Sequence, residues 1–144
     1  MKFEKQIEVR WADVDQNRHV RHSAYYDYGA HIRIACLDQA GYDADRLGEE
    51  GIGPILFHEE CSFLKEIKSN DIITINLLKG NLHRDGLKFT LHHELFDQAG
   101  KKLAHITVKG AWMDLNRRRL TVPPQALREA FENLDAGEAF SYKK

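Results

Sequence analysis

The fold is decided by residues 23–40, which read SAYYDYGAHIRIACLDQA. Apolar side chains recur there every three or four residues, the spacing of one helix face, at Tyr25, Tyr28, Ile32, Cys36 and Ala40. Further apolar residues fall on the other faces, namely Tyr26, Ile34, Ala35 and Leu37. A helix that is apolar on most of its faces is typically surrounded by protein. The stretch therefore predicts a buried helix over 23–40, with Ser23 as its N-cap and Gly41 as the residue that ends it.

Strands are predicted on both sides of this helix. Before it, one face of a strand over 3–11 carries Phe3, Ile7, Val9 and Trp11. After it, residues 42–53 are predicted to form a short turn or helix. Turn-like tetrapeptides then separate four apolar segments, which are predicted as strands over 53–64, 71–80, 87–96 and 101–115. In the first of these, the apolar face formed by Ile55, Phe57, Cys61 and Phe63 is interrupted by Glu59.

The chain closes with a second helical pattern and a polar tail. Pro123 and Pro124 precede a segment over 125–134 in which Leu127, Phe131 and Leu134 have helical spacing. Residues 135–144 are predicted to be frayed. One long apolar helix followed by a run of strands is an α+β arrangement with a largely antiparallel sheet. A sheet of about five strands needs a cover for its apolar face, and only the 23–40 helix is long and apolar enough.

Composition narrows the class of protein. The chain has 144 residues, 42% of them hydrophobic and 30% charged, which is typical of one folded domain over 1–144. Its 21 Lys and Arg against 22 Asp and Glu argue against a nucleic-acid-binding protein. No run approaches about 18 apolar residues, and the first ten residues contain no apolar core of a secretory signal. The two cysteines suit a reducing compartment, so a cytoplasmic protein without a membrane segment is expected.

The chemistry is concentrated in residues 10–33. Asp13 and Asp15 lie in a polar loop between the first strand and the amino end of the predicted helix. Free backbone amides and the helix dipole stabilise negative charge on an oxygen placed at such an end, and a nearby carboxylate can act as a general base or a nucleophile. These are the components of an acyl-transfer site. By spacing alone, two aspartates in a strand–helix loop are more often a helix N-cap and a solvated turn residue than a catalytic pair.

The same segment resembles the signature of the hotdog-fold acyl-CoA thioesterases of the 4-hydroxybenzoyl-CoA thioesterase family. The matching positions are Arg10, Trp11, Asp13, Asp15, His19, Val20, Tyr25, Tyr28 and Arg33. The entry to the second strand, Gly51 to Pro54, and the closing Met113-Asp114 with its basic cluster are also similar to that family. The resemblance covers residues 3–132 in order. It implies a hotdog fold, in which an antiparallel sheet wraps around a long central helix.

This resemblance also implies a reaction and a site. Asp15 takes the position of the catalytic carboxylate, and the backbone amide of His22 that of the group polarising the thioester carbonyl. The implied substrate is a thioester of CoA or of an acyl carrier, and no metal or other cofactor is implied. The implied assembly is a homodimer or homotetramer, and the acyl group runs between the central helix and the partner's strands. His58 and Glu59 are then expected to face the site from the neighbouring chain.

Three positions depart from the family pattern. Arg18 replaces the usual Gly before His-Val, Arg21-His22 replaces Asn-Asn, and Ala30 replaces a Glu on the helix. Without that Glu, the catalytic assignment falls on Asp15. Arg18 and Arg21 could keep Asp15 ionised, or contact an anionic acyl group or a CoA phosphate.

Several residues admit two interpretations. His19 could be a base partner of Asp15 or could position the loop, and Tyr25 could line the acyl pocket or belong to the core. Arg117 and Arg118 could bind the phosphates of CoA or lie in a solvated turn. His92 and His93 are adjacent, so on a strand they point to opposite faces and cannot chelate a metal together.

Two other functions fit the same residues. A hydratase or dehydratase acting on acyl thioesters would use a helix residue such as His31. A non-catalytic acyl-CoA binding protein would need the pocket but not Asp15.

Overall fold

The central element is helix α1 (His22–Gln39). It is enclosed by a curled sheet in the computed structural model, which describes residues 1–137 and the backbone of 142–143. Its N-cap residue is Arg21, whose extended backbone has φ −65° and ψ 146°. The prediction of Ser23 as N-cap is therefore wrong, because Ser23 already lies within the first turn. Gly41, with φ +89°, follows the end of the helix as predicted.

The described chain forms eight strands. They are β1 (Glu4–Glu8), β2 (Ile52–Phe63), β3 (Ile72–Asn76), β4 (Leu78–His83), β5 (Lys88–Phe96), β6 (Lys102–Asp114), β7 (Arg119–Leu120) and β8 (Tyr142–Lys143). The strand predicted over 71–80 is divided at Leu77 into β3 and β4, although the Leu77 amide still donates to the Phe3 carbonyl at 2.9 Å, beside the first residue of β1.

Most neighbouring strands are antiparallel. β1 pairs with β3, β3 and β4 both pair with β5, β5 pairs with β6, and β6 pairs with β2 and β7. Of the strands that the structure describes, β8 alone runs parallel to its neighbour, β4. Among the described residues, β1 and β2 each have one strand neighbour, so each presents an open edge. The fold class is α+β, and the arrangement is the hotdog fold that the sequence predicts.

Strand β2 contains a bulge that changes its alternation. Its register with β6 shifts between Leu56 and His58, so Phe57 is an extra residue. Because a strand presents alternate side chains to one face, Pro54 and Leu56 share the helix-facing side with Glu59, Cys61 and Phe63. The prediction that Ile55 and Phe57 share a face with Cys61 and Phe63 is therefore wrong, because the bulge changes the alternation in the first half of the strand.

Smaller elements correct other predictions. Trp11 is 91% exposed rather than on a buried strand face, because β1 ends at Glu8 and Trp11–Asp13 form a 3-10 turn. The segment over 42–53 contains a short helix, α2 (Ala44–Glu50), capped by the Asp43 side chain.

Helix α3 (Gln125–Glu132) covers one end of the sheet. Its Phe131 packs against Phe89 and Trp112, with ring centroids 5.0 and 5.8 Å apart. The predicted fraying of 135–144 is wrong for Asp135 and Gly137, whose amides donate to the carbonyls of Met1 and Lys79, and for 142–143, which pair with β4. Residues 138–141 and 144 lie outside the described residues. No helix of the described chain is long and apolar enough to cross a bilayer.

Candidate active site

Asp13 and Asp15 have opposite environments. The Asp13 side chain is fully buried and its two oxygens are bonded on all sides. Arg10 donates from Nη2 to Oδ1 at 2.6 Å and from its main-chain nitrogen to Oδ2 at 3.0 Å, and the Tyr28 hydroxyl donates to Oδ2 at 2.8 Å. Burial pushes the pKa of Asp13 upward, but these hydrogen bonds and the charge of Arg10 outweigh it and hold the pKa below its ordinary value. Asp13 therefore joins the loop to α1 as an anion at neutral pH.

Asp15 is exposed and organises the loop through one oxygen only. Its Oδ1 accepts hydrogen bonds from the main-chain nitrogens of Asn17 and His19 at 2.8 and 3.2 Å. No described residue donates to its Oδ2. The side chain is thus held in place by the turn that it caps, while one carboxylate oxygen remains free to act on a ligand.

The loop ends at the amino terminus of α1. The main-chain nitrogens of Val20 and Arg21 donate to the carbonyls of Ile67 and Asp13, which fixes the entry into the helix. His22 and Ser23 are the first helical residues, so their amides have no acceptor within the helix. Among the described residues, none outside the helix accepts from the His22 amide. This amide and the helix dipole can therefore stabilise an oxyanion.

A cleft of about 360 Å³ brings these groups together. It is lined by Asp15, Asn17, His19, Val20, His22, Tyr25 and residues 63–67. The His22 ring stacks on Phe63 with 4.3 Å between centroids, and Tyr25 meets Phe63 edge-on at 4.9 Å. The cleft thus has a charged rim at Asp15 and an aromatic wall where α1 meets the end of β2.

The remaining residues of the loop have structural contacts. His19 contacts Asp15 through its main chain, while its imidazole Nε2 lies 3.1 Å from Glu66 Oε2, which favours the positioning role. Arg18 has φ +63°, so an arginine occupies the left-handed conformation in which the family usually has Gly. The Arg21 side chain bonds to Ser23 and Ala12 and approaches Asp27, and these contacts direct it away from Asp15.

An apolar groove of about 170 Å³ lies farther along α1. Its lining is Ala30, Arg33, Ile34, Leu37, Pro54, Leu56, Phe89 and Phe131. Ala30, Arg33 and Leu37 lie on the same side of the helix as His22, and the rise from His22 to Arg33 is about 16 Å. The groove therefore lies on the same side of α1 as the cleft, about three helical turns farther along.

A buried polar cluster at this groove was missed in the sequence. Arg33 Nη1 lies 2.8 Å from Nε2 of the fully buried His93, and His93 Nδ1 lies 2.9 Å from the Asn76 carbonyl. Burial and then the nearby Arg33 lower the pKa of His93 to about 3, so the ring is neutral, donating from Nδ1 and accepting at Nε2. The signal available was His93 itself, the only polar residue on the buried face of β5.

His58 and Glu59 point to opposite faces of β2. Glu59 Oε2 lies 3.6 Å from Arg33 Nη2 of its own chain, and His58 lies beside Glu60, with 3.6 Å between Nε2 and Oε2. Glu59 therefore faces the groove of its own chain. His31, the residue that a hydratase would use, lines a different cavity on the β1 side of α1.

Arg117 and Arg118 lie far from the cleft within one chain. They are exposed in the turn after β6, where Asp114 Oδ1 accepts from the main-chain nitrogens of Asn116 and Arg117. Asp114 pairs with Ile52 at the first residue of β2, whereas the cleft contains Phe63 at its last residue. The structure thus separates these arginines from Asp15 by the whole of β2.

The other nucleophiles and possible ligands are inert. Burial raises the pKa of the Cys36 and Cys61 thiols to about 11, so neither is an activated thiolate. His92 and His93 point to opposite faces as predicted, since His92 Nδ1 lies 3.0 Å from His105 Nε2 on the outer face of the sheet. In the part of the chain that the structure describes, no group of three or more His, Cys, Asp or Glu side chains could hold a metal ion.

A family model described as the thioesterase-like superfamily matches residues 9–131. The chain belongs to this superfamily. The match begins directly after β1, reaches into α3 and contains every residue that lines the cleft, so it agrees with the resemblance found in residues 10–33. Membership of the thioesterase-like superfamily supports thioester hydrolysis as the general type of activity.

Solved structures with the same fold include proteins of known and unknown activity. A Staphylococcus aureus protein determined in complex with CoA is 16% identical, with a TM-score of 0.84 over 95% of this chain and 88% of that chain. A 1,4-dihydroxy-2-naphthoyl-CoA thioesterase from Synechocystis is 17% identical, with a TM-score of 0.82 over 95% and 100%. A DHNA-CoA thioesterase from Staphylococcus aureus is 15% identical, with a TM-score of 0.76 over 84% and 80%. At these identities the similarity establishes the fold.

Proposed function

We propose that this member of the thioesterase-like superfamily hydrolyses acyl-CoA thioesters, with Asp15 as the catalytic carboxylate. The observation that carries the proposal is the difference between the two aspartates. Asp13 is buried and fully bonded, whereas Asp15 keeps a free oxygen in a cleft at the amino end of α1. A group that acts on substrate has to be accessible, and only Asp15 is.

In the proposed reaction, the thioester carbonyl oxygen accepts a hydrogen bond from the His22 amide. Asp15 Oδ2 removes a proton from water, whose oxygen forms a bond to the carbonyl carbon. The amide and the helix dipole stabilise the resulting oxyanion. The carbon–sulfur bond then breaks, and the thiolate takes up the proton held by Asp15. Direct attack by Asp15 would use the same carboxylate and form an anhydride that water then cleaves.

The acyl group would occupy the groove beyond Phe63. Apolar side chains line it, and the line from His22 to Arg33 of about 16 Å would hold an extended acyl chain or a ring system. A solved structure with the same fold was determined in complex with CoA, which supports CoA as the thiol component.

A second copy of the chain is proposed to cover this groove. Strand β2 has an open edge, and several large apolar side chains near it are exposed, namely Ile34, Leu56, Phe57, Phe63 and Leu64. A contiguous exposed apolar surface of this kind is typical of an interface.

The proposal is tested with Asp15→Asn and a matched control. Asp97 caps the turn between β5 and β6 in the same way as Asp15 caps its loop, because its Oδ1 accepts from the main-chain nitrogens of Ala99 and Lys101 at 2.9 Å. Asp97→Asn therefore makes the same change at a place without a role in the reaction, since it keeps a side-chain oxygen that can accept the turn's hydrogen bonds and removes only the charge. We expect Asp15→Asn to lower kcat for acyl-CoA about 10²–10⁴-fold and Asp97→Asn to leave kcat within about twofold.

The readout is release of free thiol from a panel of acyl-CoA esters that differ in chain length and ring content. Equal loss of activity in both variants, or wild-type rates for Asp15→Asn, would refute the role of Asp15. Tight binding of the panel by the wild-type protein without thiol release would identify a binding protein instead.

A further inference from the structure

The apolar groove has one charged residue in its lining, Arg33. Only 12% of the Arg33 side chain is exposed. Burial lowers the pKa of Arg33, but a guanidinium keeps its proton in proteins. Its Nη1 lies 2.8 Å from Nε2 of the neutral His93 ring, a contact that orients the guanidinium without cancelling its charge. The wall of the groove therefore contains a fixed positive charge.

The counter-charge comes from Glu59 on β2. Glu59 Oε2 lies 3.6 Å from Arg33 Nη2, which is too far for a hydrogen bond. Ala30, one helical turn before Arg33, has no carboxylate, and Glu59 is the one described carboxylate whose charge acts on the guanidinium. An oxygen placed about 2.8 Å from both atoms would accept from Nη2 and donate to Oε2. A hydroxyl group does both.

The same pair disfavours other acyl groups. A plain hydrocarbon chain in the groove would take water away from two charged side chains and offer no hydrogen bond in return. A carboxylate on the acyl group would be attracted by Arg33 but repelled by Glu59, and a protonated amine would meet the reverse. A neutral hydroxyl has neither cost.

Gly29 shows how far this pair lies from the reacting carbonyl. A Cβ at Gly29 would be 3.0 Å from Arg33 Nη1, so the guanidinium lies beside Gly29, about 10 Å along α1 from His22. On β2, Phe63 contacts His22 and Glu59 contacts Arg33, and these two strand residues are roughly 13 Å apart. Both elements therefore place the pair roughly 10–13 Å from the His22 amide.

The groove is apolar again beyond the pair. Its farther lining consists of Ile34, Leu37, Pro54, Leu56, Phe89 and Phe131. An extended chain advances about 1.2 Å per bond, so roughly eight to eleven bonds separate the thioester carbonyl carbon from the pair. The acyl group that fits is therefore apolar at first, carries one hydroxyl close to its tenth carbon, and continues as hydrocarbon.

From this placement, and resting on the proposed thioesterase function, we infer that Arg33 and Glu59 select long acyl groups that carry a hydroxyl in mid-chain. The hydroxyl oxygen accepts a hydrogen bond from Arg33 Nη2 and donates one to Glu59 Oε2. Neither residue contacts the reacting carbonyl. Both determine specificity, while Asp15 and the His22 amide act on the thioester.

CoA esters of one chain length test the selection. The probes are octadecanoyl-CoA and its 3-hydroxy, 10-hydroxy and 12-hydroxy derivatives, each assayed by thiol release below its critical micelle concentration. We expect kcat/KM for the 10-hydroxy or the 12-hydroxy ester to exceed that of the unsubstituted ester about tenfold or more. The 3-hydroxy ester should behave as the unsubstituted one, because its hydroxyl does not reach the pair. Equal values for all four esters would refute the selection.

Glu59→Ala tests the role of the pair, and Glu60→Ala is the matched control. Glu60 is the next carboxylate of β2 and lies on the opposite face beside His58. We expect Glu59→Ala to bring the mid-chain hydroxyl esters within about threefold of the unsubstituted ester, since the hydroxyl loses its acceptor. The CoA monothioester of undecanedioic acid, a poor substrate of the wild type, should improve, since Arg33 then lacks a counter-charge. Glu60→Ala should keep the wild-type order.

Ratios between esters are measured within one preparation, so a partly unfolded variant does not change them. A purely structural role of Glu59 would lower all rates together and leave the order of the esters unchanged, which would refute the inference. Absence of thiol release from every acyl-CoA would refute the proposed function. A wild-type protein that cleaves other acyl-CoA esters but shows no preference for a mid-chain hydroxyl would refute only the selection.

Discussion

At the scale of single residues, two aspartates that are two positions apart have separate roles. Asp13 ties the main chain at Arg10 to the Tyr28 hydroxyl in α1, whereas Asp15 shapes the loop and keeps one oxygen free. The sequence predicted a polar loop with two carboxylates but could not tell which of them is buried. Which aspartate is buried depends on Tyr28, whose hydroxyl donates to Asp13. This contact is established only by the packing of α1 against the loop.

Asp13→Asn should destabilise the protein by about 1–3 kcal/mol, because the buried side chain loses the charge that strengthens its hydrogen bonds from Arg10 and the Tyr28 hydroxyl. The pKa of Asp13 is lower in the folded protein than in the unfolded chain. Its stabilisation is therefore present above about pH 4 and is lost as the pH falls through the folded pKa. Urea unfolding at pH 7 and at pH 3 measures this, and the free-energy difference between wild type and variant should shrink at pH 3. A difference that grows on acidification would contradict this assignment.

Arg18→Gly should raise the free energy of unfolding by about 1 kcal/mol, since a side chain at φ +63° is unfavourable where glycine is not. The amide of Arg18 donates to the Asp15 carbonyl and its own carbonyl accepts from Ser69, so the turn itself is retained. Thermal unfolding is the measurement. A lower melting temperature for the variant would show that the arginine side chain contributes more than its backbone conformation costs.

At the scale of elements, β2 and α1 show why the alternation of apolar and polar residues is an incomplete guide to which side chains of a strand face the helix. The apolar face predicted from Ile55 to Phe63 contained Glu59 as an exception. The bulge at Phe57 changes which side chains share that face, and Glu59 lies on it beside the Arg33 side chain of α1. Nothing in a single sequence marks one residue of a strand as extra. The long helix was predicted within one residue of its ends, since its spacing covers five turns and Gly41 follows two positions after its last residue.

The contact between α1 and β5 should make stability depend on pH through His93. Its pKa is about 3 in the folded protein and about 6.5 in an unfolded chain. Between these values the unfolded state binds one more proton than the folded state, so His93 stabilises the fold above about pH 6.5 and destabilises it by about 1.4 kcal/mol for each pH unit below that.

His93→Gln tests this dependence, because glutamine keeps a donor and an acceptor but does not titrate. Urea unfolding at intervals from pH 7 to pH 4 should give a shallower loss of stability in the variant than in the wild type. Parallel curves for the two proteins would show that His93 titrates normally.

At the scale of the whole molecule, the sheet has one long open edge at β2, and the proposed site is completed there. Phe57 lies in the middle of that strand and is 57% exposed. Phe57→Asp places a charge in the proposed contact of two copies, so we expect monomers in sedimentation velocity and loss of thioesterase activity with Asp15 intact. Ile72→Asp, at an exposed apolar residue of β3, is the control and should leave the assembly unchanged. Dimers of Phe57→Asp would place the interface elsewhere.

The hotdog architecture was accessible from the order of elements, since the chain offers only one helix that can cover the sheet. The separation of Arg117 and Arg118 from Asp15 was not accessible, because it depends on the direction of β2 relative to β6 and on the length of both strands.

The extra residue at Phe57 gives the strand two independently adjustable halves. If the strand instead paired without the bulge, with Phe57 opposite Gly110, Pro54 and Leu56 would turn outward, and Ile55 and Phe57 would enter the proposed acyl groove in their place. The carboxyl-terminal half, with Phe63 beside His22, would keep its orientation. A one-residue change of register in the first half alone could therefore change which acyl chains are accepted without altering the groups that act on the carbonyl, a route by which related chains can diverge in substrate while keeping one chemistry.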